Sequence, residues 1–364
     1  MPLPIIPAMR NARTWDVFCR VIDNHGDVGV AWRLCADLAS RGEHVRLWLD
    51  DASALAWMAP AGHDGVELVA WTDPAPDLPP GDVVVETFGC DPPARFVQRM
   101  AARASPPRWV NLEYLSAETY VERSHGLPSP VTLADGRLLA RRFFYPGFGA
   151  RAGGLLREPG LMAARERFDA ADWLRRQGLD RRPGERIVSL FCYANPALPA
   201  MLEHLSAAPT LLLVTPGPPA TQVDALLGAS GRAGALRSVR LPWLTQAQYD
   251  RLLWSCDLNF VRGEDSFVRA QWAGQPFVWQ IYPQADGAHA VKLQAFLDRM
   301  LAGGDAALAG PLRQLWSAWN GLAPADVVLP EAKPWRALCR AWRRELLAQP
   351  DLATQLLGFI AETR

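Results

Sequence analysis

The sequence predicts an α/β protein built from two Rossmann-like units in tandem. Apolar runs with the length of buried strands alternate with stretches of helical periodicity, which is the pattern of a parallel, doubly wound sheet. The alternation starts near residue 17, gives way to a Gly- and Arg-rich stretch at 147–160, and starts again at residue 186. A chain of 364 residues is long enough for two such units, each with its own hydrophobic core.

The first unit opens with a strand, a loop, a helix and a second strand. Residues 17–22 form an apolar run, and apolar side chains then recur at helical spacing between Val30 and Ala39. Gly42 predicts the end of this helix, and residues 44–49 form a second apolar run. Further strands are predicted at 65–71, 82–88 and 109–115, helices at 93–103 and 162–177, and a polar loop that runs to residue 130.

The second unit repeats this alternation, and two helices close the chain. Its strands are predicted at 186–192, 210–215, 238–241, 257–261 and 276–281, and its helices at 199–207, 245–255, 266–273 and 288–301. The closing helices are predicted at 335–347 and 352–361.

The loop between the first strand and the first helix carries acids where a dinucleotide site carries glycines. It runs from Asp23 to Gly29 with the sequence DNHGDVG. A pyrophosphate needs bare backbone N–H groups at a helix N-terminus, whereas Asp23 and Asp27 would repel it. The loop also lacks the G-x-G-x-x-G pattern, which argues against a nicotinamide-dependent oxidoreductase. The two carboxylates suit a cationic or proton-donating substrate.

Two long motifs resemble those of a known family. The run from Phe18 to Leu34, FCRVIDNHGDVGVAWRL, resembles the N-terminal signature of the elongation factor P arginine rhamnosyltransferases, EarP. The run from Asn259 to Phe277, NFVRGEDSFVRAQWAGQPF, resembles the donor-binding block of the same family. Both motifs occur in the family's order, and the resemblance spans nearly the whole chain. His25 departs from the phenylalanine that is usual in the family at this position.

Two Rossmann-like lobes followed by terminal helices match the GT-B glycosyltransferase architecture, in which the substrates meet in the cleft between the lobes. We therefore expect an N-terminal lobe over residues 1–180 on the side of the protein acceptor. A C-terminal lobe over 181–334 is expected to bind the sugar donor. The helices of 335–364 are expected to cross back to the N-terminal lobe.

The resemblance implies roles for the two acids of the first loop. The residue that matches Asp27 is the family's general base, and the one that matches Asp23 is needed for activity. A guanidinium carries only donors and stays protonated, so it needs a carboxylate to dock it and a base to accept its proton. We hypothesise that Asp27 is this base and that Asp23 orients the guanidinium or the loop, with Asn24, Gly26 and Gly29 in the same site. From spacing alone, Asp27 as a helix N-cap and Asp23 as a turn residue stay open.

The turn from Gly263 to Ser266 in the second motif is the predicted donor site. A glycine permits close backbone approach and Ser266 adds a hydroxyl at a helix N-terminus, features that favour a phosphate. Glu264 is predicted to accept hydrogen bonds from sugar hydroxyls and is grouped with the catalytic acids. The alternative is a plain capping sequence, with Asp265 or Ser266 as the N-cap.

Side chains at other strand ends complete the predicted donor site. The resemblance implies that Tyr193 bonds a phosphate and that Trp243, where the family usually has Phe, stacks on a thymine base. Gln246 is predicted to read the edge of that base. Core packing is the simpler interpretation of the aromatic residues without the resemblance, although ligands do bind at the carboxyl ends of strands in open α/β sheets. The other predicted donor-side residues are Phe191, Tyr282 and, as a cation for the leaving diphosphate, Arg262 or Arg269.

Composition limits the compartment and the partners. Lys and Arg number 38 and Asp and Glu number 38, so the charge balance indicates no nucleic-acid footprint. No apolar run approaches the length of a membrane span, and no signal-peptide pattern opens the sequence. The six cysteines lack CxxC spacing and indicate reduced core thiols. We expect a cytoplasmic monomer that binds neither nucleic acid nor membrane.

Metal chemistry is not indicated by the residue pattern. His25, His125 and His289 are candidate cleft residues but lack the spacing of metal ligands, and the sequence contains no Asp-x-Asp cation clamp. We expect no metal and no cofactor besides the donor substrate.

These features together predict an inverting, metal-independent transferase. The resemblance implies that it moves L-rhamnose from dTDP-β-L-rhamnose to an arginine side chain of elongation factor P and thereby activates that factor. The alternatives are a glycosyltransferase for another acceptor, such as a lipid or small molecule, and a catalytically silent protein that senses a nucleotide sugar. The lack of a basic, aromatic amphipathic patch argues against a lipid acceptor, and retention of both acids argues against a silent protein.

Overall fold

The computed structural model describes residues 12–23, 25–284 and 287–362, and this part of the chain forms two α/β lobes. The strands of the N-terminal lobe are β1 (Thr14–Cys19), β2 (His44–Leu49), β3 (Val66–Ala70), β4 (Val83–Thr87), β5 (Arg108–Leu112), β6 (Val131–Thr132), β7 (Leu138–Leu139) and β8 (Arg141–Phe144). Its helices and those that join it to the next lobe are α1 (Gly26–Ser40), α2 (Leu55–Met58), α3 (Ala94–Ala102), α4 (Thr119–Ser124), α5 (Leu161–Glu166) and α6 (Ala170–Arg176).

The main sheet of the N-terminal lobe is parallel, in the order β3-β2-β1-β4-β5-β8. Strand order reverses between β1 and β4, which is the position where open α/β sheets bind ligands. The loops that follow β1 and β4 therefore open into one crevice.

This lobe differs from the prediction in several places. The short helix α2 was not predicted, and α4 lies within the stretch predicted as a polar loop. Strands β6 to β8 were not predicted, because β8 is a short Arg-rich segment whose pairing with β5 is invisible in local sequence. The single helix predicted at 162–177 is interrupted, because Asp169 caps α6 by accepting the backbone N–H of Asp172.

The C-terminal lobe repeats the order of the five central parallel strands, and its sixth strand pairs antiparallel at one edge of the sheet. Its strands are β9 (Arg186–Leu190), β10 (Thr210–Val214), β11 (Arg232–Ala233), β12 (Leu236–Arg240), β13 (Leu258–Arg262) and β14 (Phe277–Gln280). The remaining helices are α7 (Leu198–Ser206), α8 (Pro218–Leu227), α9 (Gln246–Ser255), α10 (Glu264–Ala273), α11 (Ala288–Leu301), α12 (Ala306–Trp319), α13 (Ala332–Leu347) and α14 (Leu352–Glu362). The sheet order is β11-β12-β10-β9-β13-β14, so this lobe's switch point lies between β9 and β13.

Helices α8 and α12 were not predicted from the sequence. Helix α8 begins at Pro218, where the run of prolines suggested only a turn, although proline is well suited to the first turn of a helix. Helix α12 contains Pro311, a residue that ordinarily ends a helix.

The two terminal helices pack on different lobes. Trp335 and Trp342 of α13 belong to the core of the C-terminal lobe, whereas Leu352 and Leu356 of α14 are buried in that of the N-terminal lobe. The chain crosses between them, and the backbone N–H of Leu352 donates to Leu155 O at 2.9 Å. Each leucine-sized side chain contributes about 1.5–3 kcal/mol when buried, which holds α14 in place. The predicted crossing is thus made by α14, and α13 stays on the C-terminal lobe.

Candidate active site

The loop after β1 is closed by the carboxylate of Asp27. Its Oδ2 accepts the backbone N–H groups of Ile22 and Asp23, both at 2.9 Å. The N-cap position of α1 is held by His25. The alternative of Asp27 as a helix N-cap is therefore wrong, because its side chain turns back to the loop that precedes the helix. Asn24, a predicted member of this site, lies outside the described residues.

The environment of Asp27 favours a base. Its side chain is buried, with 3% of the residue exposed, and Tyr114 Oη lies 3.5 Å from Oδ1. Burial raises the pKa of Asp27, although the bonds from two backbone N–H groups and from Tyr114 act to lower it. A raised pKa makes the carboxylate a stronger proton acceptor near neutral pH. Tyr114 is held in turn by Phe88, whose ring stacks on it at 4.3 Å.

Asp23 reaches across to the C-terminal lobe. Its Oδ2 accepts the hydroxyl of Tyr193 at 2.6 Å, and its Oδ1 lies 3.5 Å from Nη1 of Arg262. Glycines make this approach possible on both sides. A Cβ at position 26 would lie 2.8 Å from Asp23 Oδ2, and one at Gly263, where φ is 63°, would lie 3.2 Å from the same oxygen. Asp23, which is predicted to orient the loop or the guanidinium, thus contacts the C-terminal lobe across the cleft.

Glu264, the first residue of α10, also contacts the opposite lobe. Its Oε2 accepts the backbone N–H of Leu115, just beyond β5, at 2.9 Å. Burial raises the pKa of Glu264 to about 8, and the nearby charge of Asp27 adds to this effect. Glu264 is therefore a weaker acid than a solvent-exposed glutamate. The side chain lines a narrow space between the lobes.

The remaining side chains of the donor turn are engaged within the protein. Ser266 Oγ exchanges hydrogen bonds with the backbone N–H and C=O of Arg262, and Asp265 lies 2.7 Å from Nε of Arg33. The N-cap position of α10 belongs to Gly263. The alternative of Asp265 or Ser266 as the N-cap is therefore wrong.

A pocket lies between the lobes, next to the switch point of the C-terminal sheet. It encloses about 680 Å³, part of it open to solvent. Most of the predicted donor residues line it, and the N-terminal lobe contributes the loop after β1 and the end of α2. The lining residues are Asp23, His25, Gly26, Trp57, Met58, Phe191, Thr215, Pro216, Pro242, Trp243, Leu244, Gln246, Tyr249, Arg262, Gly263, Asp265 and Ser266.

Of the two candidate cations, only Arg262 lines this pocket. Its guanidinium lies 4.6 Å from the ring centroid of Phe191 and 4.3 Å from that of Tyr193. Arg269 instead forms a buried bidentate pair with Asp250, at 2.8 and 2.7 Å. The Arg269 guanidinium is thus paired inside the protein. Arg262 is the remaining candidate for the cation beside the leaving diphosphate.

Aromatic side chains from both lobes meet at the pocket mouth. Trp243 is 46% exposed, and its ring lies 4.5 Å from Trp57 and 5.5 Å from His25. Gln246 lines the same pocket, but its Nε2 donates to Gly29 O of the opposite lobe at 2.9 Å. Its amide oxygen is the atom that could read a base. Base recognition by Trp243 and Gln246 stays a prediction.

Tyr282 lies at the rim of this region. It follows β14, is 44% exposed, and its ring lies 5.6 Å from that of Tyr193 in an edge-on contact. It does not line the main pocket, so a contact with the donor stays a prediction.

Several site residues were not predicted from the sequence. Trp57 and Tyr249 line the pocket, Tyr114 contacts Asp27, and Arg33 contacts Asp265. Tyr114 was read as part of a strand, although β5 ends at Leu112 and leaves it at the sheet edge. Its position just after a strand was the signal that could have identified it.

Two of the three candidate histidines, His125 and His289, accept backbone hydrogen bonds. His125 Nδ1 accepts the backbone N–H of Tyr145, and His289 Nδ1 accepts that of Gln284, each at 3.1 Å. In the described part of the chain, no group of three or more His, Cys, Asp or Glu side chains is arranged to hold a metal ion. Independence from metals and cofactors stays a prediction. Among the same residues, no helix is both long and apolar enough to span a membrane.

Nearly the whole chain is similar to known proteins. The family model described as elongation factor P (EF-P) rhamnosyltransferase EarP matches residues 15–361. The protein-arginine rhamnosyltransferase of Pseudomonas aeruginosa is 46% identical over 376 residues, which covers 96% of this chain and 99% of that protein.

Solved structures agree in fold. One, reported as "Structural basis for EarP-mediated arginine glycosylation of translation elongation factor EF-P", is 33% identical with a TM-score of 0.68, covering 97% of this chain and 100% of the other. The spinosyn forosaminyltransferase SpnP is 14% identical with a TM-score of 0.53, covering 97% and 100%. At that identity the likeness shows the fold alone, which is GT-B.

Proposed function

The chain belongs to the EarP family of elongation factor P rhamnosyltransferases and is a glycosyltransferase, and we propose that it transfers L-rhamnose from dTDP-β-L-rhamnose to an arginine side chain of elongation factor P. The observation that carries this proposal is the meeting of acids from both lobes, one buried and one partly buried, beside a pocket that is lined by one buried cation. Asp27 and Glu264 provide the acids and Arg262 the cation.

The acids suit a guanidinium acceptor. Burial raises the pKa of both Asp27 and Glu264, so each gains from a positive charge that enters the cleft. A guanidinium donates hydrogen bonds in a planar fork that matches carboxylates. Asp23, which is tied to the C-terminal lobe through Tyr193, would hold the loop in place for this contact.

The pocket suits a nucleoside diphosphate sugar. Trp243 offers an exposed ring for a thymine base. Arg262 ends β13 at the switch point, where it would face the diphosphate, and the ring of Tyr193 lies against its guanidinium. A phosphate contact by Tyr193, whose hydroxyl donates to Asp23, stays a prediction. Glu264 at the start of α10 would bond the sugar hydroxyls.

The transfer would proceed by a single displacement. A guanidine nitrogen attacks C1 of rhamnose while the bond from C1 to the diphosphate oxygen breaks. The proton lost by the nitrogen passes to Asp27. The electron pair of the broken bond leaves with dTDP, whose charge Arg262 stabilises. Attack opposite the leaving group inverts the anomeric centre, and no metal is required by this scheme.

The test is the intact mass of elongation factor P after incubation with the enzyme and dTDP-L-rhamnose. We expect the mass of one deoxyhexose to be added, at an arginine located by fragmentation. Replacing that arginine by lysine in the acceptor is the matched control and should prevent the addition. An unmodified acceptor, under conditions where donor binding is measured directly, would contradict the proposal. In that case, consumption of the donor with a different acceptor would favour another glycosyltransferase, and binding without turnover would favour a nucleotide-sugar sensor.

We also propose that the enzyme works as a cytoplasmic monomer without nucleic-acid or membrane partners. The cysteines are free and buried in the described chain, as expected for a reducing compartment. Light scattering on the purified protein and fractionation of cells that express it would test these expectations.

A further inference from the structure

A buried cluster of charged side chains lies where the two lobes meet. It combines side chains of α1 from the N-terminal lobe, α9 and α10 from the C-terminal lobe, and the segment that joins the lobes. Its members are Arg33, Glu158, Asp250, Asp265 and Arg269.

Arg33 is the member that crosses between the lobes. Its Nε lies 2.7 Å from Asp265, its Nη2 lies 3.2 Å from Asp250, and its Nη1 lies 3.1 Å from Glu158. The residue is 5% exposed. Burial acts to lower the pKa of Arg33, but the charges of these carboxylates outweigh it and keep the guanidinium protonated.

The cluster depends on Arg33 for its charge balance. Arg269 already pairs with Asp250 and donates to Glu158 at 2.6 Å within the cluster. The two guanidiniums face three carboxylates, so removal of Arg33 would leave one cation against three acids in a buried interface. Such an interface would admit water or open, because unpaired buried charge is costly.

Both helices joined by Arg33 carry active-site acids. Asp27 lies six residues before Arg33 on α1, which is about 9 Å along the helix. Asp265 is the second residue of α10, directly after Glu264, and it also lines the donor pocket. The pair of Arg33 and Asp265 therefore connects the helix of the proposed base to the turn of the proposed donor site.

Building on the function proposed above, we propose that Arg33 is a positioning residue that fixes α1 against α10 and thereby aligns Asp27 with the donor. Its planar fork contacts three carboxylates on separate segments, and this geometry sets both the distance and the rotation between the lobes. Arg33 does not line the donor pocket, so it acts through the helix that carries Asp27.

The first measurement is the distance between the lobes. The cysteines of the described chain are buried, so spin labels can be attached at cysteines introduced at the exposed positions Gln98 on α3 and Ala225 on α8. We expect one narrow distance distribution for the otherwise wild-type protein. Arg33→Met, which keeps the length of the side chain and removes the fork, should broaden it and shift it.

The matched control is Arg41→Met. Arg41 is the C-cap residue of the same helix. It forms ion pairs with Asp37 of α1 and with Asp351, which directly precedes α14 on the N-terminal lobe. Its loss should leave the distance distribution unchanged.

The second measurement separates positioning from binding. Arg33→Met should lower kcat by about 100-fold, the effect expected when reacting groups move by about 1 Å, while the donor Kd changes by less than about fivefold. Arg33→Lys keeps the charge without the fork and should recover part of both the kcat and the wild-type distance. A wild-type distance distribution or a wild-type kcat in Arg33→Met would overturn the proposal.

If Arg33→Met does not fold, Arg33→Lys decides the question. A longer or broader distance distribution together with a reduced kcat supports the proposal, and wild-type values of either overturn it. If the wild-type enzyme transfers no rhamnose, the proposed function fails, and the distance distribution still tests whether Arg33 fixes the lobes.

Discussion

Replacing Glu264 with glutamine should stabilise the unliganded enzyme at alkaline pH while it removes a proposed catalytic acid. Burial raises the pKa of Glu264 to about 8 from an ordinary value of 4.5. Its Oε2 accepts the backbone N–H of Leu115, and a glutamine oxygen can accept the same bond. The variant therefore keeps the contact between the lobes and removes only the group that titrates.

The sign of the effect follows from proton linkage. A carboxyl with a raised pKa binds its proton more tightly in the folded state, so folding stability from this group is lost as pH rises from about 4.5 to about 8. Each pH unit in that interval costs about 1.4 kcal/mol. The wild type should then lose about 3 kcal/mol by pH 7 and about 5 kcal/mol by pH 9 relative to Glu264→Gln.

Thermal unfolding at pH 5, 7 and 9 measures this difference. For 364 residues, 5 kcal/mol corresponds to a melting-temperature difference of about 6 °C if the chain unfolds as one unit. We expect Glu264→Gln to melt within about 1 °C of wild type at pH 5 and well above it at pH 9.

Glu185→Gln is the matched control with the opposite sign. Hydrogen bonds from Arg237 lower the pKa of Glu185, a buried carboxylate of the C-terminal lobe outside the pocket. Its stabilising effect is present above pH 4.5 and is lost as pH falls through the lowered value, so this variant should be less stable than wild type at pH 7. A Glu264→Gln difference that does not grow with pH, or one of the opposite sign, would refute the reasoning.

The remaining predictions concern catalysis and the donor. Asp27→Asn should abolish rhamnose transfer, read as acceptor mass, and leave the donor Kd, measured by titration calorimetry, near wild type; Asp37→Asn, another buried acid of α1, is the control that should stay active. Trp243→Ala should raise the donor Kd by about 5- to 150-fold, because stacking on a base contributes about 1–3 kcal/mol. Treatment with EDTA should leave the initial rate unchanged, because Arg262 is placed to neutralise the leaving diphosphate.

Each of these has a result that would contradict it. A large loss of donor affinity in Asp27→Asn would make Asp27 a donor-site or structural residue. An unchanged donor Kd in Trp243→Ala would place the base elsewhere. A rate that EDTA abolishes and Mg²⁺ restores would give the cation the role assigned to Arg262.

The parts of the fold that follow from local pattern were predictable from the sequence. The predicted bounds of β2 and α11 coincide with the structure, because apolar periodicity and flanking turn residues define both elements. Phe191, Arg262 and Gly263 were expected in one crevice because they end parallel strands, and they line one pocket.

What could not be predicted depends on contacts that are distant in sequence. Strand β8 is held by its pairing with β5, and Pro311 hides α12 because proline seldom lies inside a helix. The partners of Arg33 lie 125 and 217 residues further along the chain, at Glu158 and Asp250. Nothing in the spacing of a single motif indicates such pairs.

The distribution of charge between the lobes explains why the first loop is not a degraded dinucleotide site. The carboxylate of Asp27 in this loop is buried, and burial raises its pKa because the negative charge is poorly solvated. An anionic ligand at this position would bring another negative charge next to it. The cation of the cleft, Arg262, belongs instead to the C-terminal lobe, and the loop's other acid, Asp23, lies 3.5 Å from it. A diphosphate is therefore favoured on the C-terminal side and a guanidinium on the N-terminal side. Because Asp27 lies on the helix that Arg33 fixes to α10, the distance between these two charges is set by the contact between the lobes.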